Sequence, residues 1–171
     1  CSAQRLRTTA SPKPASFEEQ PMPLDNQQLL ERFNARQAPT GILFGMKVLE
    51  VDNVAGRVRM SFEMDERFCN PRGTVQGGIV CAMLDDAAAI AGIVALGEPG
   101  FIASMEIKTS FLAAALPGTL YAEGRCLKMG RSSCFLEAEL TDDKGKLLAK
   151  LSSSAIPVRS DQKPKLVEAK R

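Results

Sequence analysis

The sequence predicts an α+β domain in which a curved antiparallel sheet wraps around one long central helix. Three observations carry this. Residues 78–96 are apolar nearly all round, interrupted only by Asp85 and Asp86, so a helix there must be enclosed rather than laid on a surface. Four extended segments follow it, near residues 102–112, 118–128, 132–141 and 146–157, and two more precede it. The chain has 171 residues, 44% of them hydrophobic, which suits a single core.

The elements follow in order. Residues 1–23 hold four prolines and no apolar periodicity, and are read as a disordered arm. The stretch before Glu18 lacks any acid, so the end of a targeting segment is the other reading. Residues 24–40 form a short helical lead-in. Asp25 is its expected N-cap, Leu29, Leu30 and Phe33 share one face, and the helix is expected to end near Gln37. From Ile42 the pattern becomes extended. Residues 43–51 and 56–64 read as a hairpin, and in its second arm Val58, Met60, Phe62 and Met64 alternate with Arg57, Arg59, Ser61 and Glu63. After the central helix, the turns at Met129-Gly130-Arg131 and Asp142-Asp143-Lys144-Gly145 read as hairpin connections. The domain proper is expected over residues 41–158, with a charged tail over 159–171.

Composition excludes several functions. The chain has no histidine, which removes Ser-His-Asp and Cys-His nucleophile systems, the HExxH zinc helix and histidine-based dehydratases. Acid–base work falls to carboxylates, lysines, Tyr121, cysteines or water. A net charge of +2 with interspersed signs and no Trp argues against a nucleic-acid partner. Five cysteines without a CxxC pair read as free thiols of a reducing, cytoplasmic compartment. The apolar run at 79–96 carries two aspartates, so no membrane span is expected.

Chemistry concentrates in residues 70–86, Asn-Pro-Arg-Gly-Thr-Val-Gln-Gly-Gly-Ile-Val-Cys-Ala-Met-Leu-Asp-Asp. A Gly-rich turn leads into the helix and offers bare N–H groups where negative charge is stabilised. About two turns on, Asp85 stands among Ala, Ile, Val, Met and Leu, a costly place for an acid unless it works or is well paired. Asp86 is rotated about 100° from it and is expected to face solvent or a subunit contact.

The ordered set Asn70, Gly73, Gln76-Gly77-Gly78 and Asp85, followed by Ser110-Phe111-Leu112, Pro117-Gly118, Gly130-Arg131 and Asp143-Lys144-Gly145-Lys146-Leu147-Leu148-Ala149, resembles the hotdog-fold acyl-CoA thioesterases of the phenylacetic-acid-degradation type. The resemblance spans about residues 41–158. It implies a hotdog fold and hydrolysis of an acyl-CoA thioester by a metal-free, cofactor-free homodimer or dimer-of-dimers tetramer. Asp85 is then the general base or the nucleophile, and the Gly78 N–H is the oxyanion donor. Asn70 and Ser104 position water or the thioester. Gln76 stands where the family usually has His, and Gln can hydrogen-bond but not shuttle protons. Substrate contacts are expected from Gln76, Gly77 and Met83, with Lys128 and Arg131 meeting coenzyme A phosphates.

Each assignment has a structural alternative. Gly77 and Gly78 suit a close helix–sheet approach, Asn70 a turn cap, Asp85 a paired buried acid, and Ser104, Lys128 and Arg131 an exposed surface. Helix geometry adds one consequence. Asp85 lies seven residues beyond Gly78, about 10 Å along the axis, so one thioester reaches both only if the site is shared between protomers. A non-catalytic acyl-CoA-binding domain is the rival reading, although binding alone needs no carboxylate on the helix.

Overall fold

The structure is a computed structural model that describes residues 24–160; the expected arm over 1–23 and residues 161–171 of the tail lie outside the described residues. Asp25 begins helix α1 (Asn26–Ala35) through a reciprocal cap. Its carboxylate accepts from the Gln28 N–H at 2.8 Å, and its own N–H donates to Gln28 Oε1 at 3.1 Å. Leu29, Leu30 and Phe33 are half-buried, and Phe33 packs against the core. Asn34 then clamps α1 to the first strand, donating to the Val48 carbonyl and accepting from the Val48 N–H, both at 2.9 Å.

One sequence expectation is corrected here. The chain does not become extended at Ile42 but forms a short helix, α2 (Pro39–Leu43). Pro39 at its first turn presets a helical φ and loses no hydrogen bond there. Gly45, at φ +58°, then turns the chain into β1 (Lys47–Asp52). β2 (Arg57–Met64) follows, with Val58, Met60, Phe62 and Met64 all buried. A 3-10 turn at Glu66–Phe68 stacks Phe68 edge-on against Phe44, with ring centroids 5.5 Å apart.

The central helix α3 spans Gly77–Leu96 and ends at Gly97, whose φ of +69° is a left-handed cap. Strands β3 (Gly100–Phe111), β4 (Gly118–Met129), β5 (Cys134–Thr141) and β6 (Leu147–Arg159) complete the fold. They form one six-stranded antiparallel sheet in the order β1-β2-β4-β5-β6-β3, so β1 and β3 are its edges. The sheet curls around α3, which packs on every strand from β2 to β6.

By length and composition alone α3 could cross a membrane, its two aspartates included. Its packing identifies it instead as a core helix: Met83, Leu84, Ala87, Ala88 and Ala91 have no exposed surface. The approach is closest at β4, where a Cβ added to Gly124 would lie 2.1 Å from the Ala87 carbonyl oxygen. Backbone cannot yield to that methyl group as a flexible side chain would. Gly124→Ala is therefore expected to destabilise the fold by about 3 kcal/mol, measured by denaturant unfolding.

Candidate active site

The turn before α3 is closed by its own residues. The Asn70 N–H donates to the Thr74 carbonyl at 2.8 Å, Asn70 Oδ1 accepts from the Arg72 N–H at 2.9 Å, and Asn70 Nδ2 donates to Thr74 Oγ1 at 2.8 Å. Gly73 completes the turn with φ +75°. Asn70 thus has a structural task, and one amide hydrogen is left over for another acceptor. The turn is held from outside by the Val75 N–H on the Ala115 carbonyl and the Gln76 N–H on the Phe68 carbonyl.

Gln76 is the N-cap of α3, but its side chain makes no capping bond. Its carbonyl accepts from Ile79 and Val80, which leaves the Gly77 and Gly78 N–H groups without an acceptor among the described residues. The two glycines differ in their surroundings. A Cβ on Gly77 would meet the Phe111 ring at 3.3 Å, whereas one on Gly78 would meet nothing within 4 Å. Close packing accounts for a small residue at Gly77; at Gly78 the space is open.

From this turn α3 runs antiparallel to the edge strand β3. Gly77 lies against Phe111, Cys81 Sγ is 3.3 Å from Thr109 Oγ1, Ser104 Oγ donates to Asp85 Oδ1 at 2.9 Å, and Gly92 abuts Ile102. Ser104 sits at a β-bulge, since Ser104 pairs with Ala155 and Glu106 with Ser154, leaving Met105 unpaired. Bulges of this kind re-aim side chains beside active sites. Asp85 is half-buried, and its Oδ2 has no protein partner among the described residues.

A cleft of about 340 Å³ opens beside the turn, with Asn70, Gly77, Val80, Phe111, Ala115 and Leu148 in its wall. A second cleft, about 370 Å³, lies between α1 and the outer strands over Glu50, Arg57, Arg59 and Glu123. Four of its charges are paired, Arg59 with Glu50 at 3.2 Å and Arg57 with Glu123 at 3.9 Å, Asp52 Oδ1 accepts from the Val54 and Ala55 N–H groups, and the cleft holds none of the expected site residues.

Three expectations fare differently. Met83 has no exposed surface and points into the helix–sheet core, so it lines no open pocket. Lys128 and Arg131 are exposed near the β4–β5 turn, at the Gly100 end of β3, away from Gly77 of the same chain. Asp86 does not simply face solvent; it is half-buried on α3, where burial first and then the neighbouring Asp85 charge push its pKa up to about 6. Sequence reading did not single out Phe111, which lines the cleft beside Gly77, although its place in the Ser110-Phe111-Leu112 motif marked the segment.

A six-stranded antiparallel sheet curled around one long helix defines the hotdog fold. The family description "Thioesterase superfamily" matches residues 72–149. A phenylacetic acid degradation-related protein of Ralstonia eutropha JMP134 superposes with a TM-score of 0.68 at 30% identity, over 75% of this chain and 98% of that one. A 1,4-dihydroxy-2-naphthoyl-CoA hydrolase of Listeria monocytogenes is 25% identical over 70% of this chain and 94% of its own length. The PaaI protein of the E. coli phenylacetic acid degradation operon shares the fold, with a TM-score of 0.67 at 15% identity over 75% of this chain and 91% of that one. The chain belongs to the thioesterase superfamily.

The Asp86 environment gives a signed pH dependence. Its folded pKa, about 6, exceeds its ordinary 3.8, so the folded state binds more protons across that window and stability falls as pH rises through it. Asp86→Asn should remove that slope and stabilise the fold by about 1 kcal/mol at pH 7.5, after allowing for solvent screening. Thermal unfolding of both proteins between pH 4 and 8 checks this.

Proposed function

We propose that this protein hydrolyses an acyl-CoA thioester to free acid and CoA. The observation that carries the reading is the Asp85–Ser104 hydrogen bond on a helix whose first turn presents unpaired Gly77 and Gly78 N–H groups. Ser104 holds Asp85 Oδ1 and leaves Oδ2 free to take a proton from water. That water attacks the thioester carbonyl, and the developing oxyanion is stabilised by the Gly78 N–H at the positive end of α3. When the tetrahedral intermediate collapses, the C–S bond breaks and the CoA sulfur takes the proton from Asp85. The same carboxylate attacking directly, through an anhydride that water then opens, fits the contact equally.

One chain cannot bring both ends of this machinery to one carbonyl, because Gly78 and Asp85 are separated by about 10 Å of helix. The free edge of β3 offers the solution. Two β3 edges paired antiparallel, with a two-fold axis at Ile107, set Ser104 opposite the partner's Ser110, beside Phe111. Because α3 runs antiparallel to β3, the partner's Gly77-Gly78 turn then lies beside Asp85. The same pairing brings Lys128 and Arg131 from the Gly100 end towards the partner's turn, where CoA phosphates would meet them. Asn70, with one amide hydrogen left, and Gln76, with its uncommitted side chain, complete the substrate contacts. A dimer of this kind is the catalytic unit, whether or not dimers pair further, and the cytoplasm is the compartment in which its thiols remain reduced.

Thiol release from a panel of acyl-CoAs tests the reading. Wild type should hydrolyse at least one class, and Asp85→Asn should lose about a hundredfold or more in kcat. Inactive wild type that still binds acyl-CoA would make this a binding domain. Ile107→Asp places like charges across the proposed two-fold; size-exclusion chromatography should show monomer, with activity lost alongside. An active monomer would contradict the shared site.

A further inference from the structure

The cleft beside Gly77 has one wall that does not belong to a passive surface. Phe111 ends β3 with its side chain over half exposed (56%), yet its ring is set against the Gly77 backbone. It is the bulkiest group in the lining, whose other members include Asn70, Thr74, Val80, Leu148 and a run of alanines at 113–115. One large ring among small side chains fixes how much room the cleft offers.

The polar atoms of that lining are largely committed. The Leu112 and Ala113 N–H groups both donate to the Leu148 carbonyl, Val75 to Ala115, and Asn70 and Thr74 bond each other. A pantetheine arm, with two amides needing partners, would be poorly satisfied there. A hydrocarbon group has no such need. The cleft, about 340 Å³, is also near the lower bound for small-molecule sites, roughly 300 Å³. It accommodates a compact apolar group and not a long chain.

Resting on the thioesterase reading above, we infer that this cleft is the acyl pocket and that Phe111 is its specificity-determining residue, limiting substrates to compact apolar acyl groups. The geometry gives the ring a second effect. Packed on Gly77, it holds the turn whose N–H groups face the thioester carbonyl, so the acyl group and the reacting carbonyl are gauged by one side chain. The proposal concerns the length of the acyl group and leaves the identity of the base untouched.

The experiment measures kcat/KM for acetyl-, butanoyl-, octanoyl- and dodecanoyl-CoA in wild type, Phe111→Leu and Phe111→Ala. In parallel, dissociation constants are measured for the matching S-alkyl-CoA thioethers, which cannot be hydrolysed. Wild type should favour the shorter chains. Phe111→Ala should raise the dodecanoyl-to-butanoyl ratio at least about tenfold, and Phe111→Leu should move it in the same direction by less. The thioether affinities should shift in parallel. An unchanged chain-length ratio in both variants, with wild-type turnover intact, overturns the inference and spares the thioesterase reading. Absent hydrolysis together with a Phe111-dependent shift in thioether affinity overturns the thioesterase reading and keeps the pocket. Neither hydrolysis nor thioether binding by wild type overturns both.

Discussion

The site depends on one seam, the antiparallel contact of α3 with the edge strand β3. Along it Gly77 meets Phe111, Cys81 meets Thr109, Asp85 meets Ser104 and Gly92 meets Ile102. Each contact fixes the slide of helix against strand, and together they place a carboxylate and a pair of helix-terminal N–H groups on the same line. The seam is held from behind by the core. Small residues at Ala87, Ala88 and Ala91 let α3 descend onto β4 until only glycine fits at position 124. Close packing therefore sets the position of the chemistry, because a shift of the helix by a fraction of an ångström would break the Asp85–Ser104 bond.

The second constraint is topological. β3 follows α3 directly in the chain but joins the sheet at its far edge, where among the described residues it pairs only with β6. Its outer side is left with unpaired backbone groups and an exposed Ile107. Natural proteins seldom leave a twelve-residue edge unprotected. In the proposed dimer a second copy of the strand covers it, and the same act supplies the half of the site that one chain lacks. Stability of the edge and completion of the active site are then two consequences of one pairing.

Much of this was legible in the sequence, for identifiable reasons. Residues 78–96 could only be an enclosed helix, and the alternation at Val58, Met60, Phe62 and Met64 could only be a half-buried strand. Asp85 stood out because an acid among apolar residues is costly, and the structure gives it a hydroxyl partner in Ser104. The failures are equally physical. Ile42, Leu43 and Phe44 form an apolar run too short to distinguish strand from helix, and Pro39 decided for helix. Asp86 was expected at solvent or a subunit contact because it is rotated away from Asp85, and within one chain the curl of the sheet already leaves its own face half-buried. Met83 looked like pocket lining and is core, since no pattern in an all-apolar helix tells its core face from a ligand face. Phe111 acquires its place only through contact with Gly77 across the fold, which local pattern does not encode.

The shared site is tested most directly by complementation. Gly78→Pro removes one N–H in the first helical turn, where proline is tolerated and where the structure leaves open space. Asp85→Asn removes the base. Each variant alone should be inactive as a dimer. Unfolded together and refolded as a mixture, about half the dimers would be mixed, each with one intact site, so activity should return to about a quarter of wild type. Thiol release at that level would establish that Gly78 and Asp85 act across the interface. A refolded mixture that forms mixed dimers yet remains inactive would contradict it.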